Sequence, residues 1–241
     1  MKQWMKQYWR YVLAFILLVI GSLLLLVEPI QTMMIQQDAQ SGHEVLSGLT
    51  AEQVKQNDAL EEDVNFDFSQ VEPLSLENVA KNRGQGGRYA LGELAIPDLN
   101  MKLPIFKGVS NYVLSSGAGT MKPNQKMGEG NYALASHNYF GDKKILFSPL
   151  VEAKEGMKVY LTDMENIYVY TIQSVKQIHP TQVDVIDDVP NQKLLTLITC
   201  TDLNGTDRYQ ITATLTEKVS AKEASENLIK PFDVSWTNGT E

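Results

Sequence analysis

Residues 11 to 27, YVLAFILLVIGSLLLLV, form an uncharged apolar run between Arg10 and Glu28. As a helix rising about 1.5 Å per residue, the run reaches roughly 25 Å, which nearly spans a bilayer core. Lys2, Lys6 and Arg10 precede it at helical spacing, interleaved with Trp4, Tyr8, Trp9 and Tyr11. Positive charge and interfacial aromatics at this end mark residues 1–10 as cytoplasmic, and residues 11–27 as a single transmembrane signal anchor with the rest of the chain outside the cell membrane. A cleaved secretory signal would end in a small-residue site, whereas Val27-Glu28-Pro29-Ile30 follows without an A-x-A pattern. The flanking charges and terminal position argue against a buried core helix.

The 241 residues leave room for one well-packed domain with attachments. The net charge is -8, and Lys and Arg cluster only in the first ten residues, which argues against a nucleic-acid partner. A protein or peptide substrate fits better.

Residues 28–88 read as an extracytoplasmic stalk or linker. Thr50-Ala-Glu-Gln53 offers a capping box, and Ser75 an N-cap for a short helix through Ala80. Arg83-Gly-Gln-Gly-Gly-Arg88 then breaks any helix with three glycines, and the pattern changes to strand-like segments. A domain boundary is expected there.

The segments Leu91 to Ile96, Leu103 to Phe106, Asn131 to Ala135, Met157 to Thr162, Ile167 to Val175, Lys193 to Cys200 and Arg208 to Leu215 are predicted strands, many rich in β-branched or aromatic residues. They predict an all-β domain over residues 89–216, an antiparallel barrel or sandwich. Two alternating runs flank Asp163-Met-Glu-Asn166 and form the clearest hairpin. Gly117 to Gly130 and Ile178 to Gln192 read as long loops, a length often tied to function. Residues 217–241 read as a peripheral polar tail with a helix over Ser220 to Ile229. Asn204-Gly-Thr206 and Asn238-Gly-Thr240 match a glycosylation sequon but are explained as Asn-Gly turns.

The chain has one cysteine, Cys200, so no intramolecular disulfide can form. In Lys193-Leu-Leu-Thr-Leu-Ile-Thr-Cys200, alternation puts Leu194, Thr196, Ile198 and Cys200 on one face and Leu195, Leu197 and Thr199 on the other. A thiol at a strand end is compatible with a core residue and with a nucleophile. A nucleophilic thiol needs a proton acceptor, commonly histidine. Of three histidines, His43 lies in the stalk and His179 in a long loop, whereas His137 ends the run Tyr132-Ala-Leu-Ala-Ser136 where a strand opens into a loop. That position is also compatible with a structural role. Arg208 opens the strand after Cys200, where antiparallel pairing would set its guanidinium beside the thiol; pairing with Asp202 or Asp207 at the surface is the alternative.

In combination these residues resemble the class A sortases, membrane-anchored transpeptidases of Gram-positive bacteria. Thr196-Leu-Ile-Thr-Cys200 is similar to the family's TLxTC motif, the Arg falls eight positions after the Cys, and Leu134-Ala-Ser-His137 resembles the segment ending in the catalytic histidine. Leu94-Ala-Ile-Pro97, Leu103-Pro-Ile-Phe106 and Gly117-Ala-Gly-Thr120 extend the match, which covers about residues 89 to 216.

The resemblance implies an eight-stranded sortase-type β-barrel with short helices. It implies that Cys200 attacks the Thr-Gly bond of an LPxTG signal on an exported surface protein, that His137 protonates the leaving amine and that Arg208 holds the substrate backbone and the oxyanion. A peptidoglycan-precursor amine, carried by lipid II, is then the acceptor. It further implies an apolar groove for Leu-Pro, drawn from Ile198, Ala135, Ser136, Val183, Val185 and Ile186, with Thr199 steadying the local backbone. Some relatives bind calcium through the loops before the His and Cys strands; here these loops offer Glu129, and Asp184, Asp187 and Asp188, so no metal and no other cofactor is expected. The lid motif and second membrane helix of pilus-building relatives are absent, which favours the protein-anchoring class. A non-catalytic adhesin or sensor ectodomain and a hydrolytic cysteine protease are the competing readings.

Overall fold

The computed structural model describes residues 2–46, 48–60, 64–82, 89–202 and 205–233. The glycine-rich segment Arg83 to Arg88, Asn204 and the segment Asn238 to Thr240 lie outside the described residues.

Helix α1 (Lys2–Leu25) continues through a turn at Leu26 into α2 (Val27–Leu46). The apolar stretch is solvent-facing on every side, and none of its most hydropathic window is buried against protein. A helix apolar all round needs an apolar surrounding, which the protein does not supply.

Beyond the apolar run, α2 is packed against the domain it leads to. Ile35 is completely buried in the barrel's hydrophobic core with Met34 beside it, and Leu46 joins a second cluster with Phe106, Tyr112 and Leu114. Gly42 permits this approach, because a Cβ there would meet the Ser116 carbonyl oxygen at 2.8 Å and Pro104 at 3.3 Å. Helix α3 (Ala51–Ala59) carries the predicted capping box, with the Gln53 amide donating to Thr50 Oγ1 at 3.3 Å and the Thr50 amide to Gln53 Oε1 at 2.9 Å. Asn57 Nδ2 donates to the Ala90 carbonyl at 2.9 Å and ties α3 to the barrel. In α4 (Leu76–Asn82) the Asn78 amide donates to Ser75 Oγ, the predicted cap.

Eight strands then close a barrel: β1 (Ala90–Ile96), β2 (Met101–Phe106), β3 (Ala118–Thr120), β4 (Asn131–Ala135), β5 (Lys158–Thr162), β6 (Asn166–Ile178), β7 (Leu194–Cys200) and β8 (Arg208–Ser220). The order around the barrel is β1-β2-β3-β4-β7-β8-β6-β5, closed by β1 against β5. The predicted hairpin is β5–β6, with Leu161 opposite Tyr168.

Three expectations are corrected. The barrel is mixed rather than antiparallel, because β2–β3 and β4–β7 pair in parallel. The short helix α5 (Asn111–Ser116) makes the first crossover, and the β5–β6 hairpin fills the second. β3 had been read as part of a loop: Ala-Gly-Thr is too short to show periodicity and is a strand only through its two neighbours. Finally, the helix expected over residues 220–229 is α6 (Glu226–Asp233), and β8 runs on to Ser220. Cross-strand pairing with the 13-residue β6, which reaches Asn166 opposite Ser220, overrides the polar character of residues 216–220.

The interior is filled by alternate residues of the strands, including Leu94, Leu103, Leu134, Leu161, Leu195, Leu197 and Ile211. Each buried leucine or isoleucine contributes roughly 1.5–3 kcal/mol over its exposed state. With Leu195 and Leu197 inside, Thr196, Ile198 and Cys200 face outward, as the alternation predicted.

Candidate active site

Strand pairing brings the three predicted residues to one edge of the barrel. In the antiparallel β7–β8 pair, Cys200 lies directly opposite Arg208, so their side chains leave the same face a few ångströms apart. In the parallel β4–β7 pair, Ala135 partners Ile198, and the Ser136 amide donates to the Ile198 carbonyl at 3.4 Å. His137 stands two residues beyond Ala135 and Cys200 two beyond Ile198. The two are therefore level, and on the outer face by alternation.

Hydrogen bonds lock the strand ends together. Thr199 Oγ1 donates to the Ser136 carbonyl at 2.9 Å, which is the backbone-steadying role expected of it. Asn138 Nδ2 donates to the Cys200 carbonyl at 2.9 Å. The amide of Phe147 donates to the His137 carbonyl at 3.0 Å, so the backbone on the far side of the histidine is also held. The part played by Asn138 had no signal in the sequence beyond its place beside His137.

Cys200 is half-buried, and burial raises its thiol pKa above the ordinary value; the nearby Arg208 charge pulls it back and Asp202 adds to the rise. His137 is half-buried, and burial lowers its pKa from 6.5 to about 4. Both groups are thus mainly uncharged near neutral pH. A neutral imidazole is competent to accept the thiol proton, and the resulting thiolate gains from the guanidinium. Among the described residues Arg208 makes no ion pair with Asp202 or Asp207; its Nη1 donates to the carbonyls of Gly205 at 2.8 Å and Asp207 at 3.0 Å. Gly205 adopts φ +64°, a conformation that favours glycine, and so the loop turns its carbonyl onto the guanidinium.

The residues expected to line a groove differ in placement. Ile198 and Ala135 are buried on the outer face beside the cysteine strand end. Ser136 is buried, with Oγ donating to the carbonyls of Gly117 at 2.7 Å and Leu114 at 3.3 Å, so its hydroxyl is engaged with the protein. Val185 and Ile186 are half-buried in the single turn of 3-10 helix Val183–Ile186, while Val183 is 70 % exposed.

That turn is fastened over the β4–β7 face by a residue sequence reasoning missed. Asn131 Nδ2 donates to the carbonyls of Val185 (3.0 Å) and Asp187 (3.2 Å), and its Oδ1 accepts from the fully buried Thr196 hydroxyl at 2.8 Å. The Asn131 amide donates to Asp188 Oδ1 at 2.9 Å, and Lys122 Nζ pairs with the same oxygen at 2.6 Å. Lys122 and Asn131 hold the Asp188 carboxyl below its ordinary pKa. Asp188 therefore bridges to a lysine of the loop before the His strand. Among the described residues no three His, Cys, Asp or Glu side chains are grouped to hold a metal.

Comparison with known proteins agrees with this geometry. The sortase domain family matches residues 94–216. Sortase A of Streptococcus agalactiae serotype III is 41 % identical over 232 residues, covering 94 % of this chain and 92 % of the relative. Sortase A of Listeria monocytogenes is 39 % identical over 189 residues, covering 78 % of this chain and 82 % of the relative. The solved structure of the Listeria enzyme superimposes with a TM-score of 0.57 at 37 % identity, over 61 % of this chain and 99 % of that one. A cysteine strand end facing a histidine strand end on a closed eight-stranded barrel, together with these likenesses, shows that the chain belongs to the sortase family, and within it to class A.

Proposed function

We propose that this sortase cleaves the Thr-Gly bond of an LPxTG signal on exported proteins and transfers the threonyl carbonyl to a peptidoglycan-precursor amine, with Cys200, His137 and Arg208 as the catalytic residues. The observation that carries the residue assignment is the register: Cys200 opposite Arg208 in β8, and level with His137 beyond β4.

In the first half-reaction, the Cys200 thiol gives its proton to His137 and Sγ attacks the threonyl carbonyl carbon. The oxyanion forms beside the Arg208 guanidinium. Collapse breaks the C–N bond, His137 returns the proton to the departing glycyl amine, and a thioester remains. In the second, an acceptor amine attacks the thioester, His137 takes its extra proton, and Sγ leaves to regain it. The acid and base roles thus alternate on one imidazole. Ile198 and Ala135, with Val183, Val185 and Ile186 of the covering turn, supply apolar surface for the Leu-Pro portion, and Ser136 supports Ala135 from behind. The clients are LPxTG-bearing surface proteins and the acceptor is the cross-bridge amine of lipid II. The apolar helix anchors the enzyme in the cell membrane with residues 1–10 cytoplasmic and the barrel outside.

The test incubates the full chain in detergent with an LPxTG peptide and triglycine, following the new amide product by mass spectrometry. Cys200→Ala is expected to yield none, and His137→Ala and Arg208→Ala to lose roughly 10²–10⁴ and 10²–10³ of the rate. Product formed by Cys200→Ala at the wild-type rate would refute the assignment.

A further inference from the structure

The loop that follows His137 is held by the helix that leaves the apolar run. Thr32 Oγ1 and the Tyr139 hydroxyl lie 2.9 Å apart in hydrogen-bond contact, and Gln36 Nε2 donates to Asp142 Oδ2 at 3.5 Å. Thr32 is five residues past Val27, where the run ends, and Gln36 nine. At about 1.5 Å per residue those contacts stand at most ~8 and ~14 Å along the helix from the end of the run. Headgroups extend roughly 5–8 Å beyond each side of the hydrocarbon core, so the Tyr139 contact falls at their outer limit. The run itself is short for a full core, which draws the loop closer still.

The side chains displayed there suit that position. Phe140 is 41 % exposed, and Lys143 and Lys144 are exposed, with no acidic partner for either among the described residues. Asp142, which precedes the two lysines, faces Gln36 and accepts from the Lys144 amide at 2.9 Å. An exposed aromatic beside paired lysines, on a chain of net charge -8, is a local exception to the molecule's charge.

We propose that residues 139–144 form a membrane-contact loop, with Phe140 seated among the headgroups and Lys143 and Lys144 on anionic lipid phosphates. Aromatic rings favour the interface, and lysines near an anionic leaflet are attracted within a Debye length. The loop begins two residues after His137, so the contact also sets the height of the cleft above the bilayer and presents it to substrates held at the membrane. The inference rests on residues 11–27 being a membrane span.

The experiment uses the full chain with Cys200→Ala and a single Phe140→Cys or Leu17→Cys bearing a nitroxide, reconstituted in phosphatidylcholine vesicles with or without phosphatidylglycerol. Relative collision with oxygen and with a water-soluble nickel chelate reads depth. The label at 140 is expected at headgroup depth in phosphatidylglycerol vesicles and shallower after Lys143→Glu with Lys144→Glu or in pure phosphatidylcholine; a depth that neither change alters overturns the part given to the lysines. A label at 140 meeting the chelate as freely as in bulk water, while the label at 17 lies in hydrocarbon, overturns the loop contact alone. A label at 17 in water overturns the anchor, and the inference with it.

Discussion

Cys200 and His137 are displaced in opposite directions by one cause, burial, and Arg208 works against that cause at the thiol only. Alkylation of the single cysteine by iodoacetamide should therefore be slow at pH 7 and rise on the alkaline side of an ordinary thiol, since the thiolate is the reactive form. Arg208→Ala is expected to move that rise to still higher pH and Arg208→Lys to restore part of it, read by intact mass against time. Folding stability carries the histidine's signature as well. The unfolded chain binds a proton at His137 near pH 6.5 and the folded chain only near 4, so acidification through that window destabilises the fold. Glu93 has the reverse sign: burial raises its carboxyl to about 7 despite Lys102 at 3.4 Å, so the fold gains as pH falls from 7 toward 4.5. Urea midpoints at pH 7.5 and 4.5 should show a shallower acid loss for His137→Asn and a steeper one for Glu93→Gln.

At the scale of the element, the segment between β6 and β7 is ordered by side chains from another strand. Asn131 alone satisfies two of its carbonyls and the buried Thr196 hydroxyl. Asn131→Ala leaves these groups without that partner, at a cost of about 1–3 kcal/mol for each that stays buried and unsatisfied. Faster hydrogen exchange over residues 183–192 and a raised KM for the LPxTG peptide, with kcat less affected, are the expected outcomes. Strand existence was legible along most of the barrel because alternating apolar residues mark β1, β4, β5, β6 and β7 locally. β3 was not, since three small residues carry no period, and neither was the extension of β8, whose polar end is a strand only because β6 lies beside it.

Across the whole molecule, the helix that follows the apolar run is part of the folded unit. Ile35 is fully buried in the barrel core, whereas Met33 on the same helix is 65 % exposed. Ile35→Ala is expected to cost about 2–5 kcal/mol and to lower Tm, with α2 becoming sensitive to limited proteolysis. Met33→Ala should leave both unchanged in detergent. A helix serving only as a spacer would respond equally to the two substitutions.

What the amino-acid order determined without help is what short-range chemistry encodes. An uncharged run preceded by basic and aromatic residues reads as a membrane anchor, period-two alternation specifies which face of β7 carries the thiol, and a lone cysteine with three histidines narrows the candidate nucleophile and its partner. The tertiary structure decided how these meet. Parallel pairing of β4 with β7 sets His137 level with Cys200, though they lie 63 positions apart in sequence, and the clamp at Asn131 and the seat of α2 also join segments remote in sequence. Register between distant strands depends on hydrogen bonds and packing that exist only once both partners are in place, and no local pattern carries that information.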